Sequence, residues 1–214
     1  TLKGESCMLD LGANIECDSG NLVQFAIMGQ IFARLVLNLK RPTVGLLNVG
    51  SEEQKGHEEL REASAILRQI DLPMEFIGFV EGDDITAGTV DVIVTDGFSG
   101  NIALKAAEGT SRMFTFFLKE AFGSSIYSKI GYAFSKTAIN QVRERMDPRK
   151  YNGAVFLGLN GIAVKSHGST DSFGFANAIG VAADMSKYGF LDKVKDELRI
   201  LHAEGEASEK LRGI

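Results

Sequence analysis

Four segments of the sequence place glycines and small polar residues directly after a predicted strand. They run from Asp10 to Asn14, Asn48 to Gly56, Thr95 to Asn101 and Lys165 to Asp171. In open α/β sheets, ligands usually bind outside the carboxyl ends of the strands. We therefore expect the four segments to converge on one cleft.

The third segment carries the strongest signal and is followed at once by a predicted helix that contains Lys105. Glycines such as Gly97 and Gly100 let backbone approach a ligand closely, and unpaired N–H groups at a helix start attract an oxyanion. The alternative is a strand-to-helix turn whose glycines only permit a sharp reversal. Three flanking polar residues favour the anion site: Asp96, Asn101 and Lys105, the last one turn further along.

The first two segments are less specific. In the first, a tight turn in which Asp10 and Asn14 satisfy local backbone donors is favoured over a ligand site. The second is a polar loop with Asn48, Gly50 and Lys55 that is compatible with an ordinary loop and helix start. Neither has the glycine and lysine spacing of a Walker or Rossmann motif.

The fourth segment combines Lys165, His167, Gly168 and Ser169 ahead of a predicted helix. A lone histidine is usually structural or exposed, but this combination favours a functional loop. No catalytic triad order, zinc-type spacing or paired-carboxylate signature stands out, so no metal and no cofactor are expected. Anion binding is the conclusion that the residues support.

The elements that position these segments follow an α/β pattern. Short β-branched runs alternate with helical patterns, which favours a largely parallel sheet flanked by helices. The predicted strands are Ser6 to Leu11, Thr43 to Val49, Glu75 to Val80 and Val90 to Thr95. A helix between the first two carries apolar residues from Leu22 to Leu39 and is expected to end at Lys40-Arg41-Pro42, and a second spans Leu60 to Ile70.

The second half of the chain is expected to project a helical hairpin, residues 102–150, from a single domain of residues 1–214. Its first helix is apolar almost all round from Met113 to Phe122, which predicts burial on more than one side. A β-hairpin around Asn160-Gly161 follows. A helix from Phe173 to Lys187 and a final one through Leu201 complete the pattern, ahead of a charged tail.

Composition narrows the class of protein. The chain has 214 residues, 44% of them hydrophobic and 24% charged, with a net charge of -5, which argues against general nucleic-acid binding. Cys7 and Cys17 provide neither a disulfide framework nor a metal quartet and are expected to be reduced thiols. The chain begins at Thr1 and has no long apolar run or leader pattern, so we expect a cytoplasmic protein that lacks its N-terminal portion.

Several motifs in sequence resemble the phosphate acyltransferase (PlsX) family of bacterial phospholipid synthesis. They cover nearly the whole chain in order: Val44 to Gly50 with Lys55-Gly56, Phe76 to Gly82, Thr95 to Asn101, and Gly158 to Gly161 through Lys165 to Ser169. The resemblance implies a fold like that of isopropylmalate dehydrogenase. It also implies transfer of a long acyl group from acyl carrier protein to inorganic phosphate, which gives acyl phosphate. The family's glycine-rich N-terminal portion has no counterpart here.

The resemblance also implies roles for individual residues. Gly97, Gly100, Asn101 and Lys105 would hold phosphate or the oxyanion. Lys165 and His167 would stabilise charge or protonate the leaving group, and Asp96 would orient a reactant or assist as base. The other residues expected to bind substrate are Asp10, Asn14, Asn48, Gly50, Lys55, Gly168 and Ser169.

The distribution of charge along the chain predicts the kind of partner that it binds. Residues 123–150 carry six basic side chains against two acidic ones, a surplus that suits an acidic partner. Acyl carrier protein is one such partner and an anionic membrane is another, reached by apolar residues from Ile126 to Phe134. The alternative for those apolar residues is packing in a homodimer, the form of the family's members.

Three rival functions remain open. A phosphotransacetylase is one, and a nicotinamide-dependent decarboxylating dehydrogenase is another, although the Asp cluster that such an enzyme uses for its metal does not stand out. The third is a non-catalytic module that binds acyl carrier protein or a membrane.

Overall fold

The computed structural model describes residues 1–199, so the predicted helix position Leu201 and the charged tail lie outside the described residues. The strands are β1 (Cys7–Leu9), β2 (Thr43–Leu47), β3 (Glu75–Val80), β4 (Val92–Val94), β5 (Ala154–Phe156) and β6 (Ala163–Lys165). The helices are α1 (Ser19–Leu35), α2 (Glu58–Leu67), α3 (Asp84–Ala87), α4 (Gly97–Gly123), α5 (Ile126–Arg145) and α6 (Ser172–Lys187). A 3-10 turn spans Pro148–Tyr151, and residues 190–199 are helical.

The first four strands form one parallel sheet in the order β1-β4-β2-β3. This confirms the predicted α/β class, although each strand except β3 is shorter than its apolar run. The order places β4 between β1 and β2, so the carboxyl ends of these three strands are neighbours. The likeness to isopropylmalate dehydrogenase remains a prediction.

Helix α1 covers one face of the sheet and supplies much of the core. Ten of its residues are buried, including Ile27 and Ile31, which are fully enclosed. A Cβ on Gly29 would stand only 2.7 Å from Val92 Cγ1, so this glycine allows the helix to approach β4 closely. Fully buried Gln30 donates to Glu197, which also pairs with Arg34 at 2.8 Å and ties α1 to the 190–199 helix.

The predicted end of the first helix is wrong. Helix α1 ends at Leu35, before Lys40-Arg41-Pro42, because Asn38 adopts a left-handed conformation with φ 57°. The Leu39 N–H then returns to the Ala33 carbonyl at 3.2 Å, which closes the helix end.

The predicted helical hairpin is present as α4 and α5, and Phe122 meets Tyr132 edge to face near its tip with ring centroids 5.3 Å apart. The expected burial of α4 on more than one side is wrong within this chain. Phe116 is 63% exposed, and Met113, Phe114 and Phe117 are also exposed. No helix within residues 1–199 combines the length and the apolar character needed to cross a membrane.

The predicted β-hairpin is also present, as the antiparallel pair β5-β6. The connection is longer than the two-residue turn that Asn160-Gly161 favours, because Phe156 pairs with Ala163 and six residues, 157–162, lie between them. Helix α6 begins as predicted, with the Asp171 carboxylate accepting from the Gly174 N–H at 3.1 Å.

Candidate functional site

The loop after β1 is built around the Asp10 carboxylate. It accepts four hydrogen bonds of 2.7 to 2.8 Å, from the N–H groups of Gly12, Ala13 and Asn14 and from the Asn14 side chain. Burial raises the pKa of Asp10, but these hydrogen bonds outweigh it and hold the pKa below the usual 3.8. As predicted, Asp10 satisfies local backbone donors, whereas the Asn14 side chain donates to Asp10 rather than accepting from the backbone.

The N-terminus of α4 lies directly on this loop. A Cβ on Gly97 would stand 2.5 Å from the Asn14 carbonyl oxygen, and one on Gly100 would overlap the Asp10 carbonyl oxygen. Both glycines are therefore required where backbone meets backbone. The expectation that they precede the helix is wrong: α4 begins at Gly97, because the Asp96 side chain caps it by accepting from the Ser99 N–H at 2.8 Å.

Most N–H groups at this helix start already have acceptors. Gly97 donates to the Asn14 carbonyl at 2.8 Å and Gly100 donates to the Asp96 carbonyl at 3.0 Å. The Phe98 N–H has no acceptor among residues 1–199. The positive end of the helix is therefore open to an anion at one donor rather than along a whole turn.

Asn101 and Lys105 extend the site along α4. The Asn101 side chain is exposed and packs beside Gly12. A Cβ added to Gly12 would stand 3.6 Å from the Cβ of Asn101. Lys105 is the ninth residue of α4, about 12 Å along the axis from Gly97. Its ammonium pairs with Glu108 at 3.0 Å and lowers the pKa of that carboxyl, and the charge of Arg112 lowers it further.

The loop after β2 is closed on itself by Asn48. The side chain of this buried residue donates to the Lys55 carbonyl at 3.1 Å and accepts from the Val49 N–H at 2.8 Å. A Cβ on Gly50 would overlap the Lys55 stem, so the lysine folds back over the loop. Its ammonium pairs with Glu52 at 2.9 Å, which raises the pKa of Lys55.

The fourth segment follows a strand, as predicted, and that strand is β6 of the β5-β6 hairpin rather than a strand of the parallel sheet. Lys165 and Gly168 are exposed. The Nδ1 atom of His167 lies 2.9 Å from Ser169 Oγ and accepts from the Ser169 N–H at 3.3 Å.

Asn152, which the sequence reasoning missed, organises this loop. Its side chain contacts Ser166, His167 and Gly174. The available signal was the Asn152-Gly153 dipeptide ahead of a strand. Gly153 has φ 132°, and a Cβ added to it would stand only 3.1 Å from the Cα atom of Ala178.

The structure thus brings the first and third segments into direct contact and places the second beside them. The fourth lies on the β5-β6 hairpin, and no hydrogen bond within residues 1–199 joins it to the others. Two surface cavities of about 310 and 420 Å³ lie at the opposite, amino-terminal edge of the sheet, around Asp91 and Arg41. Neither cavity lies at the candidate site. Residues 1–199 hold no cluster of three or more metal-ligating side chains.

Known proteins resemble this chain over most of its length. The Phosphate acyltransferase of Paramagnetospirillum magneticum is 58% identical over 214 residues, which are 100% of this chain and 61% of that protein. The Phosphate acyltransferase of Rhodospirillum centenum is 63% identical over 97% of this chain and 59% of its own length. That of Rhodospirillum rubrum is 59% identical over 92% of this chain and 57% of its own length.

The chain therefore spans about three fifths of the length of these relatives. The resemblance to phosphate acyltransferases that the motifs predict is confirmed. A family model described as "Fatty acid synthesis protein" matches residues 1–193, and the chain belongs to this family.

Proposed function

We propose that this chain takes part in transferring a long-chain fatty acyl group from acyl carrier protein to inorganic phosphate, forming acyl phosphate for glycerophospholipid synthesis. The names of its relatives support acyl transfer that involves phosphate. The observation that carries the proposal is the exposed Asn101 amide beside the Asp10 loop, at the N-terminus of α4. This is the edge of a parallel sheet where ligands bind.

The reaction needs little covalent help from the protein. A phosphate oxygen attacks the thioester carbonyl, the new C–O bond forms, the C–S bond breaks and the carrier leaves as a thiolate that takes up a proton. The protein must hold phosphate with one oxygen aimed at the carbonyl and must supply donors to the transient oxyanion. Such positioning and electrostatic stabilisation each contribute several kcal/mol.

The roles divide between direct contact and support. Asn101, the Phe98 N–H and Lys105 contact phosphate or the oxyanion, while Lys165 and His167 neutralise charge or protonate the leaving thiolate. Gly97 and Gly100 bring α4 onto the Asp10 loop, and Asp96 caps the helix and orients a reactant with its second oxygen. The remaining residues shape the edge of the site: Asp10, Asn14, Asn48, Gly50, Lys55, Gly168 and Ser169.

Two carboxylates pair with the lysines that phosphate would contact. Glu52 pairs with Lys55 and Glu108 pairs with Lys105, and all four side chains are at least one third exposed. Exposed ion pairs contribute only about 0–1 kcal/mol, so a phosphate dianion exchanges with them at little cost. We propose that both lysines turn from their glutamates to phosphate on binding.

The test is phosphate-dependent loss of an acyl-carrier thioester. It is measured on this chain and on a chimaera that adds the part of the Paramagnetospirillum relative outside the aligned 61%. Asn101→Ala in the active protein is expected to raise the phosphate KM or lower kcat, with Asn160→Ala, in the β-hairpin connection, as the matched control. Wild-type kinetics in Asn101→Ala would remove Asn101 from the site.

A second proposal concerns the hairpin of α4 and α5, which we infer to be a contact surface for a second copy of this chain, for acyl carrier protein and for the inner face of the membrane. Tyr127 is 84% and Phe134 is 87% exposed, which is unusual for large apolar side chains. Arg149 contributes less to the basic patch than its charge suggests, because it pairs with Asp147 at 2.6 Å and Asp171 at 2.8 Å.

Liposome flotation separates these partners. Ile130→Glu and Phe134→Glu are expected to abolish flotation with anionic vesicles if the surface meets a membrane, and oligomeric mass is measured alongside. If the variants lose a dimer but float with the vesicles as the wild-type chain does, the apolar residues serve self-association alone.

Two alternatives have distinct outcomes in the thioester assay. A phosphotransacetylase-like enzyme would prefer a short acyl thioester over the long-chain carrier substrate. A non-catalytic module that binds acyl carrier protein or a membrane would show no turnover in either the chain or the chimaera.

A further inference from the structure

We infer that Asn152 is a positioning residue that holds the loop of residues 166–169 in the geometry in which His167 meets phosphate. The inference deepens the proposed function and rests on it. Asn152 lies between the 3-10 turn and β5, far in sequence from the predicted anion-binding segment.

The Asn152 side chain makes three hydrogen bonds, all with this loop and its neighbour, and both of its amide hydrogens are used. Its Nδ2 donates to Ser166 Oγ at 2.8 Å and to the Gly174 carbonyl at 2.8 Å. Its Oδ1 accepts from the His167 N–H at 3.0 Å. A side-chain amide offers two donor hydrogens and an acceptor oxygen, so the arrangement leaves it little freedom to turn.

These contacts join three elements through one half-buried side chain. Ser166 follows β6, Gly174 lies in the first turn of α6, and Asn152 itself follows the 3-10 turn. Gly174 is buried, and a Cβ there would overlap Thr170 Oγ1, so the helix start is packed closely against the loop. Asn152 therefore fixes where the loop leaves the hairpin and where it enters α6.

The consequence is a defined orientation for the His167 ring. Asn152 holds the main chain of His167, and the Ser169 N–H points at Nδ1 from 3.3 Å. The Ser169 hydroxyl also lies 2.9 Å from Nδ1 and can donate to it, so our inference places the proton of the neutral ring on Nε2. An Nε2–H group that faces away from Ser169 is the donor that a phosphate oxygen or a leaving thiolate requires.

Asn177 provides a matched control in the same unit. It is also a half-buried asparagine, and its Nδ2 donates to the Arg149 carbonyl at 2.8 Å. It ties α6 to the 3-10 turn, and no hydrogen bond within residues 1–199 joins it to residues 166–169. A general loosening of this unit would affect both variants, whereas a positioning role would affect only Asn152.

The experiment is a titration with inorganic phosphate followed by the imidazole ¹⁵N and ¹³C resonances of His167 in this chain. The chain has three histidines, and a His167→Gln spectrum assigns the signal. We expect phosphate to shift the wild-type resonances and Asn152→Ala to weaken phosphate binding about fivefold. The same variant should move the ¹⁵N shifts toward the tautomer mixture of free imidazole. Asn177→Ala should stay within about twofold of wild type in affinity.

The outcomes separate the two ideas. If phosphate shifts the wild-type resonances but Asn152→Ala behaves like Asn177→Ala, the inference is wrong and the proposed function stands. If phosphate leaves the wild-type His167 unshifted, the assignment of this loop to phosphate fails and the inference fails with it. Should Asn152→Ala not fold, Asn152→Gln keeps the amide but displaces it by a methylene, and the same loss is expected.

Discussion

Gly100 of α4 offers a sharp test of how the candidate site is assembled. In Gly100→Ala the new methyl group would overlap the Asp10 carbonyl oxygen and stand 2.8 Å from Thr95 Cγ2. Ordinary contact begins at 3.4 Å, so α4 must retreat from Thr95 by 0.6 Å and from the Asp10 loop by more. The obstacle is backbone, which cannot turn aside as a flexible side chain can.

The magnitude follows from comparison with a second glycine of the same helix. Overpacking a close contact costs about 1–3 kcal/mol, and the backbone obstacle places Gly100→Ala at the upper end. Alanine also stabilises a helix interior by about 0.5–1 kcal/mol relative to glycine. Gly109→Ala receives the same gain without a clash, because no atom outside the neighbouring helix backbone lies within 4 Å of the position that the new methyl group would take.

Urea unfolding of the two variants measures the difference. Gly100→Ala is expected to be about 2 kcal/mol less stable than wild type and Gly109→Ala slightly more stable, a gap of about 3 kcal/mol. The Gly100 variant should also bind phosphate more weakly, since Asn101 moves with the helix. Equal stability of the two variants would refute the close packing of α4 on the Asp10 loop.

Three further predictions test neighbouring parts of the structure. Asp10→Asn is expected to lose about 1–3 kcal/mol at neutral pH. Because the pKa of Asp10 is lower in the folded state, the wild-type protein is more stable than the variant at pH values above the unfolded-state pKa. This stability difference disappears as the pH falls through the lower folded-state pKa. Urea unfolding from pH 2 to 7 should therefore show a smaller stability difference in acid, and a constant difference would contradict this. Glu108→Gln frees Lys105 and should tighten phosphate binding about twofold in a titration, with weaker binding as the contrary result. Burial raises the pKa of Cys7 to about 12. In a Cys17→Ser variant at pH 8, the Cys7 thiol of the folded protein should therefore react with a disulfide reagent about a hundredfold more slowly than that of the protein unfolded in urea. Equal rates would show an accessible thiolate.

Much of the fold was predictable because local chemistry and tertiary structure agree. The four β-branched runs form the parallel sheet, and Asp171 caps α6 as its position before an apolar pattern indicates. Where local chemistry and tertiary structure disagree, the conformation of a single residue sets the end of an element. Asn38 ends α1 early because it adopts a left-handed conformation, which the spacing of apolar residues does not predict.

The candidate site was predictable in outline but not in assembly. The glycines of the third segment were expected to receive a ligand, yet Gly97 and Gly100 first allow two backbones to meet. That requirement depends on β1 and β4 being neighbours, a pairing that the sequence alone does not specify. The role of Asn152 depends in the same way on contacts across 14 and 22 residues.

The exposed apolar surface of α4 and α5 has a different cause. Periodicity reports that the side chains at Phe116 and Phe117 require burial, but it does not say against what. Within this chain they contact each other edge to face at 5.8 Å and remain exposed. This exposed surface supports the proposed contact with a partner, which the flotation and mass measurements test.

The central claim is that phosphate itself attacks the acyl thioester at this edge of the sheet. It is tested most directly by supplying phosphate labelled with ¹⁸O on all its oxygens, together with a long-chain acyl-carrier thioester, to the chain and to the chimaera. We expect acyl phosphate that retains every labelled oxygen, and much less of it in Asn101→Ala. Thioester loss that is independent of phosphate and yields unlabelled fatty acid, or no turnover in either protein, would contradict it.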